Sequence, residues 1–182
     1  MVLFIDLMIY HLNTMTTSFP IPQGEAQAAV RQIAVPDEAR AVCTLARIDH
    51  EDAFQVDVGA VQDRTAEQWA RAILEDSPVF IQRPLMAGWS AIGLKLGFGR
   101  SREHVLGWEI TLNTSDVVLL GAGSRIGLLG QLLFKRNSDR LLFCTFVQQS
   151  NAGARAMWAW VGPVHAPTVR RVLEQVGRRC QW

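Results

Sequence analysis

Residues 141–179, LLFCTFVQQSNAGARAMWAWVGPVHAPTVRRVLEQVGRR, decide the fold. The first nine residues, Leu141–Gln149, form an apolar run that is typical of a buried strand. The remaining residues carry apolar side chains at three- and four-residue spacing. Arginines gather toward the C-terminal end, where the helix macrodipole favours positive charge. The stretch therefore predicts a strand followed by a long helix from about Asn151 to about Arg179.

Two prolines interrupt this helical pattern. Pro163 and Pro167 each lack the backbone N–H that an interior helical residue donates. Such a proline costs about 3 kcal/mol and bends or breaks a helix. We therefore expect the C-terminal helix to be kinked near these prolines or to consist of two pieces. A bent helix is also the shape that a curved sheet can enclose.

The residues before this stretch predict an antiparallel meander. From Leu106 onward the apolar period changes to two, which is the period of a half-buried strand. Gly127 and Gly130 indicate a bulge or bend within the meander. The predicted strands cover residues 108–113, 117–120, 126–136 and 141–149, with turns at 113–116, 121–124 and 137–139.

The upstream half predicts one further strand and several helices. The expected elements are a short helix over 36–46, a polar loop over 49–52, a strand over 53–58, and helices over 66–74 and 84–96. Asp63 or Thr65 is the expected cap of the helix over 66–74. The order of strand, helices, meander and long helix predicts an α+β fold. In this fold a curved antiparallel sheet packs around the C-terminal helix.

Composition limits the classes of function. Charged residues make up 19% of the 182 residues, below the usual share of about 25%, which favours a globular chain. The net charge of +1 provides no basic face for nucleic acid. No apolar run approaches the roughly 20 residues of a membrane span. Residues 1–20 are interpreted as a loose tail or an extended translation start, and residues 21–182 as one domain.

Cysteine use indicates a reducing compartment. Cys43, Cys144 and Cys180 form no CxxC pair and are odd in number. Three reduced thiols and a cytoplasmic location are the expected reading. Cys144 lies in a strand pattern and is expected to be a small core residue.

Several short segments carry a resemblance to known proteins. They are ARIDHEDAF at 46–54, WARA at 69–72, a V-x-P-x-H pattern at 161–165, and VRRVL at 169–173. Together they resemble the bacterial DUF2867 family, which is similar to START-like, polyketide-cyclase-like (SRPBCC) helix-grip proteins. The resemblance covers roughly residues 30–179. It departs at His50, where Tyr is more usual, and at Pro167, where a basic residue is more typical. It implies a helix-grip fold with a cavity between sheet and helix, but no activity.

Motifs for covalent, cofactor or metal chemistry do not fit. Gly88–Ile92 lacks the final glycine of a GxSxG elbow, and Gly121–Gly127 has a strand where a dinucleotide loop requires a helix. His50, His104 and His165 are widely separated and show no metal-ligand spacing. The acidic loop over 49–52 lacks the spacing of a calcium loop. We therefore expect no cofactor and no metal.

Tryptophans from three predicted elements are the best indication of a cavity. Large aromatic side chains also dominate ordinary cores, so packing alone is the competing interpretation. Pockets for small molecules are apolar with a few polar groups. The candidate ligand-binding residues are Trp89, Trp108, Gln131, Trp160, Val164 and His165.

Three functions remain open, and the sequence favours the first. The first is binding of a small hydrophobic or aromatic ligand without chemistry. The second is a cyclase- or dehydratase-like enzyme that uses His165, Asp57, His104 or Glu109 facing the cavity. The third is a non-catalytic accessory or assembly module, and a homodimer is also possible. For His165 we favour a structural role, such as donating to a carbonyl freed near Pro167.

Overall fold

The structure, a computed structural model, describes residues 30–58, 64–97 and 100–177. Within these residues it contains four helices and seven strands. The helices are α1 (Asp37–Arg40), α2 (Ala66–Leu74), α3 (Val79–Ala91) and α4 (Ala152–Gly177). The strands are β1 (Val30–Ile33), β2 (His50–Asp57), β3 (His104–Val105), β4 (Trp108–Asn113), β5 (Val117–Gly123), β6 (Leu128–Arg136) and β7 (Arg140–Gln149).

All seven strands belong to one curved antiparallel sheet. The strand order is β1-β2-β7-β6-β5-β4-β3, so β3 to β7 form a meander and β2 joins its far side. Strand β1 pairs with β2 and lies at the edge. This arrangement confirms the predicted α+β class with an antiparallel sheet and a C-terminal helix. Strand β1 was not predicted, because its sequence, VRQI, does not alternate between apolar and polar residues.

The two faces of the sheet bury two separate cores. The larger core lies on the face that α2, α3 and α4 cover, and it includes Phe54, Phe134 and Phe143. The smaller core lies on the opposite face and includes Leu133 and Phe146. Because β6 and β7 are covered on both sides, their sequences read as nearly continuous apolar runs.

Helix α2 forms where its local signals place it. Thr65 accepts a hydrogen bond from the backbone N–H of Gln68 at 3.3 Å, and the Gln68 side chain accepts from the Thr65 N–H at 2.9 Å. This capping box satisfies two N–H groups that would otherwise be free. The helix then buries Trp69 and Ile73 against the larger core. The alternative cap, Asp63, lies outside the described residues.

Several predicted boundaries are wrong for reasons of tertiary pairing. The predicted turn over 121–124 is largely strand, because β5 continues to Gly123 in register with β6. The turn comes later, where Gly127 adopts a φ of 83° and the Ser124 hydroxyl accepts from the Leu128 N–H. Strand β2 begins at His50, so the predicted polar loop over 49–52 is mostly strand. Its pairing with β7 overrides its polar composition.

The helical segments also differ from prediction at their ends. Helix α1 stops at Arg40, short of the predicted residue 46. Helix α3 begins at Val79 and ends at Ala91, five residues before the predicted end, with Pro84 inside it. A proline four or more residues into a helix loses a hydrogen bond, yet the remaining turns still form when they pack.

Helix α4 passes Pro163 and Pro167 as one continuous element. Of the two alternatives that the prolines predicted, a kinked helix or two pieces, two pieces is therefore wrong. The Asn151 side chain caps the first turn by accepting from the Ala154 N–H at 2.8 Å, and the Thr168 hydroxyl donates to the Val164 carbonyl at 2.7 Å. Among the described helices, none combines the length and apolar character that crossing a membrane demands. The predicted tail over 1–20 and Cys180 lie outside the described residues.

Candidate functional site

A cavity of about 150 Å³ lies between helices α2, α3 and α4 and the sheet face that carries the larger core. An apolar cavity of about this size is large enough to hold a molecule such as benzene. Leucines, valines and tryptophans make up most of its wall. The sheet contributes Leu132, Phe143 and Thr145, and α4 contributes Val161, Val164 and His165.

Two tryptophans shape the end of the cavity near α3. Trp89 and Trp108 meet edge to face, with ring centroids 5.5 Å apart and an interplanar angle of 80°. Trp108 fits because β6 has a glycine beneath it: a Cβ on Gly130 would lie 3.2 Å from the Trp108 ring. The buried Nε1–H of Trp108 has no hydrogen-bond partner among the described residues.

The polar part of the wall is small and lies between β7 and α4. Thr145 and His165 line the cavity together, and His165 Nε2 lies 3.2 Å from Thr145 Oγ1. Thr168 is also in the wall, but its hydroxyl already donates to the Val164 carbonyl. His165 is the titratable side chain of this lining. The cavity thus combines a broad apolar surface with one polar corner.

His165 belongs to a cluster of three side chains at this corner. Its Nε2 lies 3.2 Å from Asp52 Oδ2, and His50 Nε2 lies 3.3 Å from the same oxygen. His50 and Asp52 are two residues apart on β2, so their side chains lie on the same face of the sheet. That face is the cavity side, since Asp52 pairs with Thr145 in register. The cluster of His50, Asp52 and His165 therefore lies at the polar corner.

Asp52 is ionised despite its burial. Its side chain is 4% exposed. Burial alone would raise the pKa of Asp52, but hydrogen bonds from His165 and His50, the charge of His165, and the Thr145 hydroxyl together hold it well below its usual range. The other carboxylate oxygen, Oδ1, is buried and has no hydrogen-bond partner among the described residues. The cluster thus contains an anionic centre with an unused acceptor.

Trp158 fixes the orientation of both imidazoles. Its ring centroid lies 4.9 Å from that of His50 and 5.4 Å from that of His165. Trp158 is 9% exposed and belongs to the larger core. Packing against a buried ring restricts the rotamers of both histidines. The cluster is therefore held in place before any ligand arrives.

The structure places four of the six predicted ligand-binding residues on the cavity wall, namely Trp89, Trp108, Val164 and His165. Trp160 is 67% exposed and lies outside it. Five helical positions separate Trp160 from His165, which turns it about 140° away from the cavity side. Gln131 is also outside. It is buried on the opposite face of the sheet, where its side chain bonds the backbone and hydroxyl of Thr44.

The remaining predicted catalytic candidates do not reach the cavity. Asp57 pairs with Arg31 and Arg140 and has a side chain that is 40% exposed. His104 contacts the Ser101 hydroxyl through Nδ1 at 3.1 Å. His104 and Glu109 are paired in register on β3 and β4 and line a separate depression in the surface. Of the four, His165 faces the cavity.

Sequence reasoning missed His50 and Asp52 as site residues. Their acidic surroundings in DHED were interpreted as a solvated loop. The signal that could have found them is alternation: if the strand is extended back from Phe54, Asp52 and His50 fall on the same face as that core residue. The predicted structural role of His165, donation near Pro167, is not what the structure shows. Its Nε2 contacts Asp52 and Thr145 instead.

Comparison of the chain with protein-family models, with curated proteins and with solved structures finds no match. The chemistry of the cavity and of its polar corner therefore carries the functional argument.

Proposed function

We propose that this chain is a helix-grip protein of the START-like kind that binds one small, mainly aromatic molecule in the cavity beneath α4. The observation that carries the proposal is the cavity itself, an apolar space with one polar corner. Binding sites for small molecules have this composition, with many apolar contacts and a few polar groups that fix orientation. The resemblance to DUF2867 and to the polyketide-cyclase-like proteins supports the same architecture.

The volume restricts the size of the ligand. A space of about 150 Å³ suits a single substituted aromatic ring. At a mid-range ligand efficiency of about 0.7 kcal/mol per non-hydrogen atom, a seven-atom molecule such as phenol binds with a Kd of about 0.3 mM.

The polar corner selects for one polar substituent. A hydroxyl or carbonyl group at this end of the ring can bond Thr145 or His165, while the ring contacts Val161, Val164 and Leu132. A net hydrogen bond contributes about 0.5–1.5 kcal/mol, or about a 2- to 10-fold gain in affinity. Phenol and toluene have the same number of heavy atoms and differ in this one group. They are therefore a matched pair of probes.

Thermal unfolding and calorimetric titration with phenol and toluene test the proposal, in buffer containing EDTA. About 5 mM phenol should add about 1.7 kcal/mol to the free energy of unfolding and raise Tm by about 3–7 °C. The Val164→Phe variant fills the cavity and should lose this response. The Thr145→Val variant should bind toluene as before and reduce the preference for phenol, because His165 remains as a partner for the hydroxyl.

Trp160→Ala on the same helix is the matched control, because Trp160 points away from the cavity. It should bind both probes as the unsubstituted protein does. The proposal is overturned if neither probe raises Tm or binds in calorimetry, or if Val164→Phe and Trp160→Ala respond alike.

A second candidate function is acid–base catalysis on the bound molecule by His165. The observation that favours it is the His165–Asp52 contact at 3.2 Å, since an ionised carboxylate orients an imidazole and supports its proton transfer. Native mass spectrometry can compare the small molecules that co-purify with the unsubstituted protein and with His165→Gln. If His165 catalyses a reaction, His165→Gln should retain the substrate and the unsubstituted protein should retain the product, and the two molecules should differ in mass. Identical masses contradict catalysis and leave binding.

A further inference from the structure

The cluster at the polar corner has the composition of a metal site. His50 and Asp52 come from one face of β2, and His165 comes from α4, which crosses that face. One ligand atom from each residue lies within 4.8 Å of the others. Two imidazole nitrogens and a carboxylate oxygen are a donor set that suits zinc and other divalent transition metals. The combination is formed by the fold, because the three residues show no motif spacing in the sequence.

The distances fit ligands of one ion better than ideal hydrogen bonds. A charge-assisted N–H···O bond is usually about 2.7–2.9 Å long. The two nitrogens lie 3.3 and 3.2 Å from Asp52 Oδ2. Ligands at about 2.0–2.1 Å from a tetrahedral zinc ion are separated by about 3.3–3.4 Å. The two separations that involve Asp52 Oδ2 therefore match those of ligands on one ion, and the two histidines each place a ligand atom within 4.8 Å of the other.

The burial of the Asp52 side chain provides the second, independent observation. Its side chain is 4% exposed, and its Oδ1 atom has no hydrogen-bond partner among the described residues. Its ion-pair contacts within the described residues are to the two histidines and do not include Lys or Arg. Buried carboxylates are normally paired with a full positive charge or coordinate a metal. A divalent ion bound at Oδ2 would supply this charge to the buried carboxylate.

The surroundings provide support and access. Trp158 packs against both imidazoles and holds their orientation. The side chains of His50 and His165 remain 29% and 19% exposed, so an ion can reach the cluster from solvent. Three protein ligands leave a fourth position for water or for a donor atom of a bound molecule. Because His165 and Thr145 line the cavity, the cluster borders the cavity.

The geometry points to a binding site for one divalent transition-metal ion, of which Zn²⁺ is the representative, formed by His50, Asp52 and His165. The ion replaces the imidazole protons that would otherwise face the carboxylate. The site carries a net charge of +1 when both histidines are neutral. It therefore favours an anionic or lone-pair donor on the cavity side. The inference goes beyond ligand binding, since the ion can bind to an empty cavity.

Titration of the untagged, EDTA-treated full chain with Zn²⁺ tests the site. We expect one ion per chain and a rise in Tm with Zn²⁺. With Co²⁺ we expect the visible absorption of a four- or five-coordinate ion. Asp52→Asn and His165→Gln retain similar shapes and hydrogen-bonding groups. Loss of a residue that only hydrogen-bonds a metal ligand weakens metal binding by roughly 10- to 100-fold. Each of these variants removes a ligand itself and should weaken Zn²⁺ binding by more than that.

His104→Ala is the matched control. It removes one histidine from the chain at a place away from the cluster, and it should bind Zn²⁺ as the unsubstituted protein does. Circular dichroism in EDTA shows whether each variant is folded. The inference is overturned if the folded chain binds no stoichiometric Zn²⁺, or if Asp52→Asn and His165→Gln bind it as tightly as His104→Ala. A protein that binds Zn²⁺ but neither phenol nor toluene would uphold the metal site and contradict the cavity proposal.

Discussion

Individual residues show how burial and partners decide ionisation. Asp52 pairs with Thr145, the residue after Cys144 on β7, and both Asp52 and Cys144 are buried. Hydrogen bonds from histidines overcome the effect of burial on Asp52 and lower its pKa. Cys144 has no such partner. Burial, with the nearby charge of Asp52, raises the pKa of the Cys144 thiol to about 12. Cys144 is therefore the small core residue that its strand pattern predicted.

The lowered pKa of Asp52 predicts a pH dependence of stability in EDTA. Its pKa in the folded state lies below the unfolded value of about 3.9, so its ionised form stabilises the fold above about pH 4. This contribution is lost as the pH falls below 4 toward the folded pKa. Asp52→Asn lacks the titration. Its free energy of unfolding should fall less steeply between about pH 5 and pH 2.

Urea unfolding at a series of pH values measures this effect. Asp49, Glu67 and Asp116 also have lowered pKa values and contribute to the acid limb, but they do so in both proteins. The difference between the two curves therefore isolates Asp52. Parallel curves over this range would show that Asp52 is not stabilised as an anion.

At the scale of elements, prediction succeeded where the signal is local. Thr65 marks the start of α2 in the sequence, and the apolar spacing of the helix gives its buried face. The His50 end of β2 carries no such signal, because its strand conformation depends on pairing with β7. Of the residues predicted for the cavity side of α4, Val164 and His165 line the cavity and Trp160 does not. The Asp52 contact was not predicted, because it joins two elements that are far apart in the chain.

Helix α3 is the weakest cover of the cavity, and this predicts its exchange behaviour. Ile81 is its buried residue, its N-cap is Pro78 without a side-chain cap, and Pro84 lies inside it. Few buried contacts and lost hydrogen bonds lower the cost of local opening. The amide hydrogens of α3 should exchange much faster than those of β6 and β7. Phenol should slow exchange in α3, because the helix lines the cavity. Equal protection of α3 and β6 would contradict this reading.

At the scale of the whole molecule, two cores share one sheet but differ in packing. The smaller core contains Leu133 and Phe146, each fully buried, and Gln131 is satisfied there by Thr44. The larger core leaves a space beneath α3 and α4. The sequence could predict which residues are apolar but not which face would stay unfilled. That outcome depends on how far apart the helices sit above the sheet.

The Val164→Phe variant therefore has a distinct expectation for stability. In a filled core, adding a large side chain costs about 1–3 kcal/mol. Here the new ring enters existing space, so the free energy of unfolding should change by less than about 1 kcal/mol. Urea unfolding measures the change. A loss in the range of an overpacked core would show that the space is not available.

The most direct measurement is an isotope-filtered nuclear Overhauser experiment on the methyl-labelled protein with bound phenol. The cavity proposal predicts contacts from the phenol ring to methyl groups of Val161, Val164 and Leu132, which line the space between sheet and α4. Helix α3 also carries exposed apolar side chains, including Val79 and Met86. Contacts confined to Val79 and Met86 would show that phenol binds the surface and would contradict the account.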